Sequence, residues 1–170
     1  MRPPLDRIRE SIFSVLGGSL EGAHVLDLFA GSGAFGLEAV SRGARKAIFV
    51  DTSRECLRVL RQNITNLGFA ARCEVVQGDG LSRPDLRSLE PPGFRLIFMD
   101  PPFRMLRTEG DASRVLGRVE EILTHPLALG ERGCLVLRAP ERFEGPTRLA
   151  PDDSRVYGAS RVFFFRRAHL

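Results

Sequence analysis

Apolar positions recur at helical spacing from the start of the chain, at Leu5, Ile8, Ile12 and Leu16, with Pro3-Pro4 just ahead, which predicts an amphipathic helix that Gly17-Gly18 ends. Residues 24–28 then form an apolar run of strand length. The segment 31–36 reads as a tight glycine-rich turn, followed by a short helix carrying Phe35, Leu37, Ala39 and Val40 and closed by Gly43. A second strand is predicted over 46–50, ending at Asp51, after which Thr52 or Ser53 can cap a helix whose face carries Leu57, Leu60, Ile64 and Leu67. Strands follow at 73–77, 94–99 and 133–138, with a helical face from Val115 to Leu123 between the last two. Strands alternating with helices predict an α/β architecture. Beyond Arg138 the chain turns to Pro, Gly and charge, and the extended segment 155–167, with Phe163, Phe164 and Phe165, predicts a closing hairpin. The loop around Pro91-Pro92-Gly93 and the stretch 104–110 read as the mobile pieces.

Composition narrows the class. At 170 residues, 43% hydrophobic and 27% charged, the chain has the size and balance of one globular domain over 1–170, into which a helical segment over 1–22 leads. No apolar run approaches the ~20 residues that span a bilayer, and Asp6 and Glu10 interrupt the N-terminus where a secretory signal would be apolar, so a cytoplasmic protein is expected; a monomer is the separate default expectation. Cys56, Cys73 and Cys134 are odd in number and widely spaced, and read as buried thiols. His24, His125 and His169 have no triad or ligand spacing, so no metal is expected. The net charge is +4, and all but one of the 25 basic residues are Arg, Lys46 being the exception. Arginine suits phosphate contacts, although a GC-rich genome gives the same bias.

Gly31-Ser32-Gly33-Ala34-Phe35-Gly36 is a G-x-G-x-x-G turn between a strand and a helix, with Asp51 twenty residues on at the next strand's end. Glycines let a ligand approach the backbone, and an acid at that strand end accepts hydrogen bonds from two ribose hydroxyls. A nicotinamide enzyme shows the same spacing. Asp27, four residues before the loop, discriminates: its carboxylate repels a pyrophosphate but attracts the ammonium and sulfonium of S-adenosylmethionine. Asp79, after the third strand, adds an acceptor for an adenine amine, or is a surface turn.

Asp100-Pro101-Pro102-Phe103 ends the fourth strand, on the edge of an open α/β sheet where ligands bind. The prolines remove two backbone donors and leave a carbonyl such as that of Pro101 free. Carboxylate and carbonyl together can hold an amino group by its two N–H bonds, and Phe103 offers a ring for the attached base, worth ~1–3 kcal/mol by stacking. The competing reading is a proline turn with Phe103 as a core plug.

Together these residues resemble the class I S-adenosylmethionine-dependent methyltransferases acting on exocyclic amines of nucleobases. The chain is more closely similar to the bacterial family that methylates the 2-amino group of a guanine in small-subunit ribosomal RNA. The resemblance is carried by Arg2-Pro3, Asp6-Arg7, Arg9-Glu10, the run Leu26 to Gly33, Gly36 to Ala39, Ser41 to Ala44, Asn63 and the Asp-Pro-Pro-Phe motif, and more weakly by Tyr157-Gly158. It implies a Rossmann-like, mostly parallel seven-stranded sheet with an antiparallel last strand and helices on both faces. It places the cofactor, S-adenosyl-L-methionine, at Asp27, Phe29, Ala30, Gly31, Ser32, Gly33, Asp51 and Asp79, and catalysis at Asp100, Pro101, Pro102 and Phe103. The implied partner is ribosomal RNA or a small-subunit assembly particle, with Arg2, Arg7, Arg104, Arg107, Arg166 and Arg167 as candidate phosphate contacts. Three features depart from the family: a basic glycine-rich segment ahead of Arg2, where this sequence has only Met1; Pro3-Pro4 in place of Pro-Thr; and Arg138 in place of an acidic residue.

Three other readings stay open on the residues themselves. The same motif reads an amine in DNA adenine or a protein amide; a cofactor- or RNA-binding module need not turn over; and an NAD-dependent oxidoreductase shares the glycine loop but lacks a hydride-site acid or base.

Overall fold

A computed structural model describes residues 5–82, 93–145 and 148–167; Arg2, Pro3, Pro4, Pro91, Pro92 and His169, all invoked above, lie outside them. The elements in chain order are α1 (Leu5–Leu16), β1 (His24–Asp27), α2 (Ala34–Ser41), β2 (Lys46–Asp51), α3 (Arg54–Asn66), β3 (Cys73–Gln77), β4 (Phe94–Met99), α4 (Glu109–Thr124), β5 (Leu129–Pro140), β6 (Asp153–Tyr157) and β7 (Ser160–Arg166).

The seven strands make one sheet in the order β3-β2-β1-β4-β5-β7-β6. β1 to β5 pair in parallel, and β7 runs antiparallel to both β5 and β6. The central strands are apolar on both faces because both are covered. On one face Val25, Phe49, Phe98, Val136 and Phe164 pack with the apolar stripes of α1, α2 and α3. On the other, Leu26, Ile97, Leu135 and Phe165 pack with Val115, Val119 and Ile122 of α4. The chain winds outward from β1 to β3 and then returns to place β4 on β1's other side. The carboxyl ends of β1 and β4 therefore flank the crevice at which this topology reverses.

Several boundaries differ from the pattern-based reading. β1 stops at Asp27 rather than Leu28. Of the two candidate caps it is Ser53 that starts α3, its Oγ accepting from Cys56 N–H at 3.2 Å. Leu67 is 53% exposed, not part of the buried face, because the helix ends there and Gly68 turns the chain at φ 70°. β5 is twice the predicted length: it starts at Leu129 rather than Gly133, Leu129 pairing with Phe94 across a register shift, and runs on to Pro140. The stretch 104–110 is ordered rather than loose. Met105 N–H donates to Pro102 O at 2.8 Å, a 3-10 turn spans Phe103–Leu106, Leu106 is buried, and α4 starts at Glu109.

Candidate active site

The carboxyl ends of β1 to β5 all contribute to one cleft of about 770 Å³, within the range of small-molecule sites. Its floor is the turn after β1. Leu28 N–H donates to Phe98 O at 3.0 Å and Ala30 N–H to Val50 O at 3.0 Å, so the turn is held by both neighbouring strands. Gly31 follows at φ 53° with no heavy atom within 4 Å of where a Cβ would sit, leaving its backbone open to the cleft. Gly33 has φ 93°, and a Cβ there would stand 2.4 Å from a methyl carbon of Leu60. One glycine serves access and the other packing. Asn63, which the sequence ties to the site only through the resemblance, braces the loop physically. Its Nδ2 donates to Ser32 O at 3.0 Å and joins α3 to the glycine turn.

Asp51 lines the cleft and organises it, Oδ2 accepting from Gly31 N–H and Oδ1 from Ser53 N–H, both at 2.8 Å. Each oxygen keeps a further lone pair for a ligand hydroxyl. Asp79 also lines the cleft, but its carboxylate is engaged by Leu81 N–H at 2.9 Å and by Arg114 Nη2 at 3.2 Å, so a ligand amine would share it with Arg114.

Asp27 is a correction. It lies 1% exposed beneath the loop rather than on the cleft wall, with Oδ2 accepting from Gly36 N–H at 3.2 Å and Oδ1 without a hydrogen-bond partner among the described residues. Burial pushes its pKa up to about 7; the N–H groups of Gly36 and Phe29 oppose this, and the nearby carboxylates of Asp100 and Asp51 add to it. An acid buried beneath the loop, off the cleft wall, does not meet a ligand as the exposed carboxylate that its position in the chain suggested. The carboxylates that do line the cleft are those of Asp51, Asp79 and Asp100, of which Asp79 and Asp100 are paired with arginines. Gly33 likewise stands behind the lining, whereas Phe29, Ala30, Gly31 and Ser32 form it.

Opposite the loop stand Asp100, Pro101, Pro102 and Phe103, all lining the cleft with Arg104. The Pro101 carbonyl accepts no hydrogen bond among the described residues, whereas that of Pro102 is taken by Met105 N–H. Phe103 is half-buried with its ring in the cleft, which does not fit a core plug. Asp100 is not free: Arg138 Nη1 donates to Oδ1 at 2.9 Å and to Oδ2 at 3.2 Å. Burial raises the Asp100 pKa while this ion pair pulls it back. The Arg138 guanidinium also lies over the Phe103 ring, 4.8 Å from its centroid.

In the sequence Arg138 stands out only as a departure from the family pattern. The usable signal is its place at the carboxyl end of a strand, because the register pairs Met99 with Leu137 and sets Asp100 and Arg138 side by side. Cys56, expected to be buried, is half-buried and faces the cleft, as do Leu5 and Met105. Of the candidate phosphate contacts, Arg104 and Arg107 are exposed on the cleft side, Arg107 in an adjoining groove with Phe143 and Arg142, and Arg7 is exposed on α1. Arg166 and Arg167 are misplaced for such contacts. Arg166 pairs with Cys134, which lies beside Leu96 near the amino end of β4 and so away from the cleft's edge of the sheet, and the Arg167 guanidinium donates to Leu129 O at 2.6 Å.

Among the described residues no group of His, Cys, Asp and Glu could hold a metal, and no helix is long and apolar enough to cross a membrane.

Comparison with known proteins adds to this geometry. Ribosomal RNA small subunit methyltransferase D of Escherichia coli is 38% identical over 104 residues, which cover 61% of this chain and 50% of that protein; the chain thus spans about half the length of that relative. The solved structure of the Escherichia coli protein yhhF superposes with a TM-score of 0.76 at 27% identity, covering 100% of this chain and 89% of the other. An RNA methyltransferase from Salinibacter ruber, solved in complex with S-adenosyl-L-homocysteine, shares the fold at a TM-score of 0.66 and 12% identity, covering 99% of this chain and 95% of the other. The family model described as conserved hypothetical protein 95 matches residues 1–166, and the chain belongs to that family.

Proposed function

We propose that the protein transfers a methyl group from S-adenosyl-L-methionine to the exocyclic 2-amino group of a guanine in small-subunit ribosomal RNA, presented as a flipped-out base. The observation that carries this reading is the meeting, in one cleft, of an open glycine loop anchored by Asp51 with a carboxylate, an unpartnered carbonyl and an aromatic ring at the end of β4. The residues fit the cofactor. Gly31 has open space where a Cβ would stand, and Asp51 and Asp79 offer carboxylate acceptors to hydroxyl and amine groups. Phe29, Ala30, Gly31, Ser32, Asp51 and Asp79 would hold it, with Asp27 and Gly33 supporting the loop from behind. When bound, the cofactor supplies a methyl carbon already activated by the adjacent sulfonium.

The chain's own residues then act in three ways. Asp100 and the Pro101 carbonyl accept the two N–H bonds of the acceptor amine and orient its lone pair, and they stabilise the positive charge that develops there. Phe103 stacks on the base and offsets part of the few kcal/mol that flipping costs. Arg104 and Arg107 meet phosphates flanking the target.

The test is to incubate the protein with labelled S-adenosylmethionine and, separately, small ribosomal subunits, free ribosomal RNA, DNA and protein, and to map the label. Label on a guanine N2 of small-subunit RNA, lost in folded Asp100→Ala protein with cofactor affinity retained, is the expected result. Label confined to DNA or protein, or normal transfer by Asp100→Ala, overturns the reading.

A further inference from the structure

The two groups proposed to receive the acceptor base, the Asp100 carboxylate and the Phe103 ring, are held by the same side chain. Arg138 donates from Nη1 to both Asp100 oxygens, lies over Phe103 at 4.8 Å, and donates from Nε to Ser160 Oγ at 3.2 Å. Ser160 is a firm anchor. It is 3% exposed and sits at the start of β7, paired with Pro140 of β5 on one side and Tyr157 of β6 on the other. The Arg138 and Asp100 side chains retain only 21% and 20% of their exposure, so the pair is screened far less than a surface ion pair. A planar guanidinium alone can serve all three partners at once: it presents a flat face to the ring, one nitrogen to the carboxylate and another to the hydroxyl.

We propose that Arg138 is a positioning residue of the methyl-transfer site, setting the Asp100 carboxylate and the Phe103 ring in the relative orientation that receives the base. The proposal rests on the functional reading above and goes further in assigning the orientation to one side chain of β5. Asp100 needs such a partner because its carboxylate follows a strand end in which both succeeding residues are prolines and have no N–H to hold it. Arg138 engages one side of the carboxylate, and the remaining lone pairs stay available to the acceptor amine. Fixing the carboxylate and ring before the base arrives removes a reorganisation that the reaction would otherwise have to make.

Arg138→Gln, Arg138→Lys and Ser160→Ala test this through single-turnover methyl transfer at saturating RNA, with S-adenosylhomocysteine affinity and melting temperature measured alongside. Arg138→Gln is expected to slow transfer by about ten- to a hundredfold while cofactor affinity changes by less than about twofold. Lysine keeps the charge but loses the flat face and the bond to Ser160, so Arg138→Lys should recover only part of the rate. Ser160→Ala touches neither Asp100 nor Phe103 and should slow transfer by an intermediate factor, which a residue serving stability alone would not produce. A wild-type rate in Arg138→Gln, with or without a lower melting temperature, overturns the proposal. Faster transfer or tighter RNA binding by Arg138→Gln also overturns it, because the guanidinium would then be a plug that the base displaces. If the wild-type protein itself transfers no methyl group, the functional reading fails and this inference fails with it.

Discussion

Asp27 and Asp100 are acids on adjacent strands with opposite treatment. Asp100 faces the cleft against an arginine, while Asp27 is sealed beneath the loop with one oxygen unpartnered. The difference has a consequence for pH. The Asp27 pKa rises from its ordinary value of 3.8 to about 7, chiefly through burial, so between those values the folded chain binds more protons than the unfolded one. The contribution to stability is complete below the unfolded value and is lost as pH rises through the folded one. Asp27→Asn keeps an oxygen for Gly36 N–H and removes the titration. Its melting temperature should therefore gain on wild type steadily from pH 5 to about pH 8. A difference that stays flat over that range would show that Asp27 does not titrate there.

At the scale of elements, the glycine turn and α2 work as a unit, and its glycines are not interchangeable. Gly36 lies against β2: a Cβ there would stand 2.3 Å from a ring carbon of Phe49, a side chain with no exposure and no room to yield. Gly36→Ala is expected to cost about 1–3 kcal/mol of stability through overpacking. Gly31→Ala has open space but a positive φ; it should cost less stability than Gly36→Ala and should weaken cofactor binding more. Denaturant titration and calorimetry on the two variants separate these effects, and equal losses of stability would contradict the assignment. The helix stop near Gly68 and the hairpin turn at Gly158-Ala159, with Gly158 at φ 58°, follow the same local rule and are readable as punctuation. The first third of β5 is not. Its extension depends on pairing with Phe94, a partner 35 residues away in the chain, and not on its own hydrophobic pattern.

For the molecule as a whole, the sheet's polarity sorts the arginines that composition could only count. Arg104 and Arg107 belong to the cleft edge, Arg166 and Arg167 to the opposite one. RNA affinity should fall steeply with salt, and losing one phosphate contact should reduce the slope of log affinity against log salt by about 0.7 for a single-stranded target. Arg104→Ala and Arg107→Ala should each show that reduction, and Arg166→Ala should not. A slope that is flat in the wild type, or lowered equally by all three changes, would place the RNA elsewhere.

What can be read along the chain is whatever a few neighbouring residues decide. Apolar strands bounded by glycine, the loop that needs positive φ at Gly31 and Gly33, the acids at or just after the ends of β1 to β4 and the proline pair after Asp100 are local features, and they are enough to predict the α/β fold and much of the cleft's lining. The orientation of those groups is out of reach. Whether Asp27 faces the cleft or the core depends on how the turn after β1 folds over it. Whether Asp100 stands free depends on the order of the sheet, which lays β5 beside β4 and brings Arg138 to it from 38 residues away. Periodicity records which face a residue takes within its own element, but the partner across the sheet is set by which strands come to lie side by side, and only the folded chain brings those together.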